Sequence, residues 1–260
     1  MVDNLNSKIK DYSNVTKELI GKKDNSSFDG VIFVEESSVA DFKMNYFNKD
    51  GSGNALCGNG LRATVRYLID NKIYKAKNLK LEAVNKTFEC KINDDKTISA
   101  IFPPPDKIKM KFKLKVNFNN IWQLITVSYI NVGSPHIVLF LDDIEKPRLK
   151  NIEDINMIEW GRTIRMHKDL LPEGANVNFI EVVSSRQGIL KIRSYERGVE
   201  GETLSCGTGA LSAGIVAHAL RGIRKPVKFQ TRSGEELTVN FEIEDFKVKN
   251  LSLTGFALRI

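Results

Sequence analysis

Apolar and polar residues alternate over short runs along most of the chain, which is the pattern of strands that bury one face. Turn-forming residues separate the runs: Asn93-Asp94-Asp95 and Ser233-Gly234 are typical of hairpins, and Pro103-Pro104-Pro105 of an exposed connection. The predicted strands cover residues 30–34, 42–47, 79–84, 87–92, 97–102, 107–115, 124–131, 137–141, 176–183, 189–195, 227–231, 237–241 and 247–253.

Two segments, residues 58–71 and 207–220, have the helical period over an appreciable length. Their apolar faces are formed by Leu61, Val65, Leu68 and Ile69 in the first, and by Leu211, Ile215, Ala219 and Leu220 in the second. A short helix is also expected at about residues 15–20. Each half of the chain thus has several strands and one central helix, which indicates an internal repeat with a boundary near residues 103–116. We predict an α+β fold with halves at residues 1–110 and 111–260, the last residues of which could return to the first half.

Composition favours an ordinary globular protein, with 42% apolar and 27% charged residues. The sequence has no apolar run long enough to span a membrane, and its start lacks the basic-then-apolar pattern of a secretory signal. We therefore expect a cytoplasmic protein. The net charge of +7 is compatible with binding to nucleic acid. The one basic stretch, residues 107–115, alternates lysine with apolar residues, which favours a lysine-rich strand over a nucleic-acid site.

The three cysteines cannot all pair, and they form neither a CxxC motif nor a zinc-ligand spacing with histidine. Two of them share a context: Cys57 and Cys206 each begin a Cys-Gly-(Asn/Thr)-Gly sequence between a polar loop and a predicted helix. Cys90 lies in an alternating strand and is expected to be an inert, packed thiol.

The position of these two cysteines suggests acid–base chemistry. Glycines let the backbone approach a ligand, and a helix N-terminus attracts a carboxylate. The same field is expected to lower the pKa of both thiols. One such turn could be structural, a nucleophile or a phosphate loop. Two of them predict a pair facing each other across an interdomain cleft, because inverting a stereocentre needs one group on each face of the carbon.

The two cysteine segments resemble the motifs of a known family. Asn48-Lys49-Asp50-Gly51-Ser52 leading to Cys57-Gly58-Asn59-Gly60-Leu61-Arg62, and Glu196-Arg197-Gly198 leading to Cys206-Gly207-Thr208-Gly209, are similar to the motifs of diaminopimelate epimerases. The segments 133–136 and 176–179 fall where the family has binding residues. The resemblance runs from about residue 28 to residue 255.

The resemblance implies two pseudo-symmetric domains, each a mixed barrel-like sheet around a central helix. It implies interconversion of LL- and meso-diaminopimelate for lysine and peptidoglycan precursor synthesis, with no pyridoxal phosphate, metal or other cofactor. By motif, Cys57 and Cys206 would be the acid/base pair. The substrate-binding residues would be Asn48, Gly58, Asn59, His136, Asn176, Glu196, Arg197, Gly207 and Thr208. The expected partner is this small molecule, with neither nucleic acid nor membrane, and a homodimer is left open.

Several of these residues also have plain structural interpretations. Asn48 and Asn176 could be turn or strand-end residues. Glu196 and Arg197 could form a surface ion pair, and His136 could be a hydrogen-bonded histidine at a strand start.

The sequence departs from the family at its beginning. Family members open with a strand carrying a Gly-x-Gly-Asn-Asp-Phe-like segment, which is missing here, so we expect the chain to begin inside the first strand. A missing strand would expose a sheet edge and remove one ligand contact. Ser134 stands where many members have Asn, and residues 25–28 are not the usual lead-in to Asp29-Gly30.

Two alternatives stay open. A related two-cysteine racemase for proline, hydroxyproline or histidine is disfavoured because proline-type members usually have His at the position of Asn59 and lack Glu196-Arg197-Gly198. The other alternative is an inactive homologue that binds anions at two helix ends.

Overall fold

The protein is described by a computed structural model that covers residues 1–22, 28–53 and 56–257. The strands are β1 (Val2–Asp3), β2 (Gly30–Glu35), β3 (Phe42–Asn48), β4 (Asn78–Ala83), β5 (Lys86–Ile92), β6 (Ile98–Phe102), β7 (Lys107–Phe118), β8 (Ile121–Asn131), β9 (Pro135–Phe140), β10 (Asn176–Ser184), β11 (Ile189–Glu196), β12 (Gly201–Thr203), β13 (Val227–Gln230), β14 (Glu236–Glu244) and β15 (Lys247–Gly255). The helices are α1 (Tyr12–Ile20), α2 (Gly58–Asp70), α3 (Met157–Arg165) and α4 (Gly207–Arg221). Within the described residues, no helix is long and apolar enough to cross a membrane.

The chain divides into two compact units. Unit 1 comprises residues 1–101 and 254–260, and unit 2 comprises residues 102–253. Unit 1 is therefore discontinuous in sequence, since its last residues follow the whole of unit 2.

Unit 1 is a mixed sheet packed on α2. Its strands follow the order β1-β2-β3-β4-β5-β6, with β1/β2 and β3/β4 parallel and the other neighbours antiparallel. Helix α2 packs against β2, β3 and β5. Leu61, Val65 and Leu68 of the predicted apolar face are fully buried, whereas Ile69 is only partly buried.

Unit 2 is a larger mixed sheet that curves around α4. Its strands follow the order β15-β14-β13-β11-β10-β9-β8-β7, with β12 added to β11, and the β9/β10 and β11/β13 pairs are parallel. Helix α4 packs against β8, β9, β10 and β14. Helix α3 adds a separate core in which the Trp160 ring stacks on Phe118 at a centroid distance of 4.3 Å.

The predicted α+β class is confirmed, as is every predicted strand and both hairpin turns. The two predicted long helices and the short helix near residue 15 are also present.

The prediction that Ala219 and Leu220 belong to the buried face of α4 was wrong. Residues 207–217 are buried in an unbroken run, whereas Ala219 is exposed and Leu220 partly so. This helix is enclosed on all sides over three turns, so burial there does not follow one stripe. Helix α3 and strand β12 were not predicted.

Candidate active-site turns

The two cysteine turns have nearly the same backbone geometry. Cys57 is the N-cap of α2 with φ −114° and ψ 105°, and Cys206 is the N-cap of α4 with φ −119° and ψ 107°. In each turn the cysteine carbonyl accepts the first intrahelical hydrogen bond, from Leu61 N–H at 3.1 Å or Ala210 N–H at 2.9 Å. The thiols therefore occupy equivalent positions at two helix N-termini, where the backbone N–H groups favour negative charge.

The Cys57 thiol is half-buried and in contact with the helix end. Its Sγ accepts the backbone N–H of Gly60 at 3.2 Å, which satisfies one of the otherwise unpaired donors of the first turn. A hydrogen bond from a helix N-terminus favours the thiolate form of a cysteine over the thiol.

The Cys206 thiol is held differently. It is only 7% exposed, and burial raises its pKa well above the usual value, with the nearby Glu196 carboxylate adding to the effect. The Thr208 hydroxyl and the Gly209 N–H act in the opposite direction but are outweighed. The prediction that the helix end lowers the pKa of both thiols was therefore wrong for Cys206, which is a thiol at neutral pH.

Cys90 lies in β5 and is 2% exposed. Burial raises its pKa to about 12, so it stays protonated at neutral pH. The prediction that it is a packed thiol is confirmed.

In unit 1, Asn48 and Asn59 are both engaged with their own turns. The Asn48 side chain donates to Ser52 Oγ at 3.0 Å in a tight turn that closes the end of β3. Asn59 Oδ1 accepts from Arg62 Nη2 at 3.2 Å. The turn interpretation of Asn48 is confirmed, and substrate binding by either residue stays a prediction.

Arg62 belongs to the first cysteine motif but was assigned no role from the sequence, although it lies among the apolar positions of α2. It is 2% exposed and donates through Nε to the Phe256 carbonyl at 3.4 Å and through Nη1 to Gly58 O at 3.5 Å. A charged residue within an otherwise apolar helix face was the available signal, since such a residue needs buried acceptors.

In unit 2, Asn176 connects two of the predicted binding segments. Its Nδ2 donates to Pro135 O at 3.0 Å, and its Oδ1 accepts the Arg197 backbone N–H at 2.8 Å. The exposed Arg197 guanidinium donates to Glu173 O at 3.3 Å. Asn176 therefore fixes the start of β9 to the end of β11 and holds the backbone of Arg197 in place.

Glu196 faces the second cysteine turn. Its Oε1 accepts a hydrogen bond from the Thr203 hydroxyl, and its side chain also reaches Cys206. The simple surface interpretation of Glu196 is thus insufficient, because its carboxylate affects the protonation of the buried thiol.

His136 is fully buried between Ser134 and Asn178. Nε2 lies 2.9 Å from Ser134 Oγ, and Nδ1 lies 3.0 Å from Asn178 Nδ2. Burial, with a smaller contribution from the charge of Arg197, lowers the pKa of His136 to about 3. The imidazole is therefore neutral and fully hydrogen-bonded. Asn178, which carries this contact, was not predicted to have a role of its own.

Residues 25–27, which precede the Asp29-Gly30 segment, and residues 54–55, which lie between the Asn48 turn and Cys57, are outside the described residues.

The buried His136 predicts an acid-sensitive fold. In the unfolded chain His136 takes up a proton below about pH 6.5, whereas in the folded chain it does so only near pH 3. The contribution of neutral His136 to stability is therefore fully present above pH 6.5 and is lost as the pH falls toward 3. As the pH falls, the free energy of unfolding of the wild type should decrease more steeply than that of His136→Gln. The difference between the two slopes should reach about 1.4 kcal/mol per pH unit. Urea unfolding followed by circular dichroism at pH 7, 6 and 5 measures this difference. Equal slopes in the two proteins would contradict it.

The glycines three residues after each cysteine offer a matched pair of substitutions. A Cβ at Gly209 would overlap Asn178 Oδ1, whereas one at Gly60 would lie 3.1 Å from Ile32 Cδ1 and 3.2 Å from Met44 Sδ. Flexible side-chain ends can move, but Asn178 is fully buried and held by hydrogen bonds.

Gly209→Ala should therefore destabilise the protein by about 1–3 kcal/mol, as overpacked cores do. Gly60→Ala should be close to neutral, because alanine is also the better helix former by about 1 kcal/mol. Urea midpoints of the two variants compare these costs directly. A Gly60→Ala loss as large as that of Gly209→Ala would show that Asn178 is not the obstacle.

The chain is similar in sequence to known proteins. The sequence matches the family described as "Diaminopimelate epimerase" over residues 1–102 and 128–256. It is 38% identical to a protein named diaminopimelate epimerase from Aquifex aeolicus, with 89% of this chain and 78% of that protein covered. A protein of the same name from Chlorobaculum tepidum is 33% identical, with 82% of this chain and 77% of that protein covered.

Solved structures share the fold at low identity. A phenazine biosynthesis protein of the PhzF family from Bacillus anthracis has a TM-score of 0.68 at 15% identity, with 98% of this chain and 88% of that chain covered. A hydroxyproline epimerase from Agrobacterium vitis has a TM-score of 0.65 at 15% identity, with 94% and 81% covered. At such identities the likeness concerns the fold alone. The family match and the relatives above 30% identity decide the assignment: this chain belongs to the diaminopimelate epimerase family.

Proposed function

We propose that this chain is a cofactor-independent epimerase that interconverts LL- and meso-diaminopimelate, with Cys57 and Cys206 as its acid/base pair. The product would serve lysine and peptidoglycan precursor synthesis. The observation that carries the proposal is the matched backbone geometry of the two turns. Cys57 has φ −114° and ψ 105°, and Cys206 has φ −119° and ψ 107°, so the two residues differ by 5° in φ and 2° in ψ. Two equivalent thiols at two helix N-termini are what proton removal and return at one carbon require.

The protonation states of the thiols suggest their starting roles. Burial and Glu196 keep Cys206 protonated, so Cys206 is the proton donor of the resting protein. The Gly60 N–H stabilises negative charge on the Cys57 sulfur, so Cys57 is the base. One thiolate removes the α-proton while the other thiol delivers a proton to the opposite face, after which the two roles have been exchanged.

The exchange of roles requires that Cys206 also exists as a thiolate. Its Sγ lies 3.7 Å from Thr208 Oγ1, and the Gly209 N–H also favours the charged sulfur. These two donors stabilise the thiolate that remains after Cys206 has given up its proton.

The helix ends also suit the carboxylate of the substrate. The backbone at Gly58 and Asn59 in unit 1, and at Gly207 and Thr208 in unit 2, belongs to the first turns of α2 and α4, where the positive end of the helix dipole lies. Helix N-termini bind anions, and here they would stabilise the negative charge that spreads into the carboxylate when the α-proton leaves.

The other polar groups would bind the remaining parts of the substrate. Diaminopimelate carries an ammonium and a carboxylate at each end. We assign its ends to the Glu196 carboxylate, the Arg197 guanidinium and the side chains of Asn48 and Asn176. His136 is fully buried and would act on the site through Ser134. Arg197 suits a carboxylate because its exposed guanidinium is held on a backbone fixed by Asn176.

Solvent exchange tests the proposed function. LL-diaminopimelate is incubated with the protein in heavy water under reducing conditions, and deuterium at the α-carbon is followed by NMR together with the appearance of the meso isomer. L-Proline and trans-4-hydroxy-L-proline are assayed in parallel. Exchange with diaminopimelate alone supports the proposal. Exchange with the cyclic amino acids instead would support a racemase, and binding of diaminopimelate without exchange would support an inactive homologue.

A further inference from the structure

We propose that Asn178 is a positioning residue that fixes the tautomer of His136 and thereby aligns a chain of hydrogen bonds ending at the Cys206 sulfur. This hydrogen-bond chain runs from Asn178 through His136, Ser134 and Thr208 to Cys206, all in unit 2. The inference rests on the proposed function, in which Cys206 is an acid/base residue.

The orientation of the Asn178 amide follows from its partners. Its Nδ2 donates to the Ile137 carbonyl at 3.0 Å, and its Oδ1 accepts from the Ser194 hydroxyl at 2.9 Å. Turning the amide over would place Oδ1 against the Ile137 carbonyl, where two acceptors would meet. The second hydrogen of Nδ2 therefore points at His136 Nδ1, 3.0 Å away, and this nitrogen must act as an acceptor.

The tautomer of His136 follows from this contact. A neutral imidazole carries one hydrogen, so an accepting Nδ1 leaves that hydrogen on Nε2. Nε2 then donates to Ser134 Oγ at 2.9 Å. The neutral state itself is enforced by burial, which lowers the pKa of His136 to about 3.

The remaining steps point the same way. Ser134 accepts from His136 and donates to Thr208 Oγ1 at 3.4 Å. Thr208 in turn accepts from Ser134 and directs its own hydrogen to Cys206 Sγ at 3.7 Å. Every donor in the chain therefore points toward the sulfur, which places a positive hydrogen where negative charge forms.

Burial makes this arrangement depend on Asn178. Asn178 and His136 are fully buried, Ser134 is partly buried, and Thr208 and Cys206 are 5% and 7% exposed. Solvent therefore cannot easily replace the donor that Asn178 provides to His136. Without Asn178, His136 is free to carry its hydrogen on Nδ1. Nε2 would then accept from Ser134, and Thr208 would turn its hydroxyl toward Ser134 and away from Cys206.

The tautomer can be observed directly. The chain has three histidines, so nitrogen-15 labelling of histidine gives few signals, and the loss of one signal set in His136→Gln assigns His136. We expect the hydrogen on Nε2 in the wild type. In the isosteric Asn178→Asp a carboxylate oxygen replaces the Nδ2 donor, so a hydrogen should appear on Nδ1. A wild-type His136 with its hydrogen on Nδ1, or an Nδ1 that carries no hydrogen in Asn178→Asp, would overturn the proposal.

Kinetics of diaminopimelate epimerisation provide the second readout. In Asn178→Ala, kcat should fall roughly tenfold, because one aligned hydrogen bond to the reacting thiol is lost. KM should change less than about twofold, because Asn178 does not belong to the proposed substrate-binding set. The matched control is Ser212→Ala in α4, where a fully buried hydroxyl has no hydrogen-bond partner among the described residues. This control should keep wild-type kinetics.

The outcomes separate this inference from the proposed function. Wild-type kcat in a folded Asn178→Ala, checked by circular dichroism, would overturn the positioning role while leaving the epimerase intact. A wild type that exchanges no α-proton of diaminopimelate would overturn the proposed function, whereas the NMR measurement would still decide the tautomer. If an Asn178 variant fails to fold, the tautomer of His136 in the wild type decides, because a hydrogen on Nδ1 there overturns the positioning role.

Discussion

Cys57→Ala and Cys206→Ala are each expected to abolish epimerisation of diaminopimelate, with kcat falling by roughly 10²- to 10⁴-fold or more. Each variant keeps one acid/base group and loses the other, so a proton can be taken from one face of the α-carbon but not returned to the opposite face. Conversion of LL- to meso-diaminopimelate under reducing conditions measures this. Cys90→Ala is the control, since Cys90 is a buried strand residue with a pKa near 12.

Cys57→Ala and Cys206→Ala should lose activity without losing the fold. The two cysteines begin helices with nearly identical backbone angles, and alanine is accommodated by either geometry. Both variants should therefore fold as the wild type does. Epimerisation retained in either single variant would refute the two-base mechanism, and lost activity in Cys90→Ala would point to a thiol outside the proposed pair.

The largest effect on stability is expected at Trp160, where Trp160→Ala should cost about 3–5 kcal/mol. The ring is 1% exposed, stacks on Phe118 with an interplanar angle of 7° and also contacts Phe179. Alanine would leave a cavity that the surrounding β-sheet cannot fill. Urea unfolding followed by circular dichroism measures the loss.

Trp160→Phe is the matched control. It keeps a stacked ring and removes an indole N–H that has no hydrogen-bond partner in the part of the chain described here. The control should therefore lose much less stability than the alanine variant. Equal losses in the two variants would mean that stacking and cavity formation are not what Trp160 contributes.

The sequence predicted the elements whose determinants are local. Alternation identified the strands, and the glycine-flanked cysteines at 57 and 206 identified the two helix starts. Helix α3 was missed although Met157, Trp160 and Ile164 follow the helical period, because Gly161 interrupts so short a helix. Tertiary packing explains that glycine, since a Cβ there would overlap the Tyr195 ring.

The features of the candidate site also divide into those set by local sequence and those set by tertiary contacts. The position of Cys206 at a helix end was predictable, because one turn contains all the residues that create it. Its raised pKa was not, since it arises from burial and from the way the β11–β12 pairing brings Glu196 to the sulfur. The contact between His136 and Asn178 likewise depends on the register of β9 and β10, in which residues 42 positions apart become neighbours.

The discontinuity of unit 1 has a consequence for how the protein is made. The Cys57 turn emerges early from the ribosome, but Arg62 behind it donates to Phe256, and Ser99 hydrogen-bonds to Thr254 at 2.7 Å. Unit 2 is translated in full between these partners. The first cysteine turn to be synthesised is therefore the last to be completed, because its unit gains the contacts with residues 254 and 256 only after the whole of unit 2 has been made.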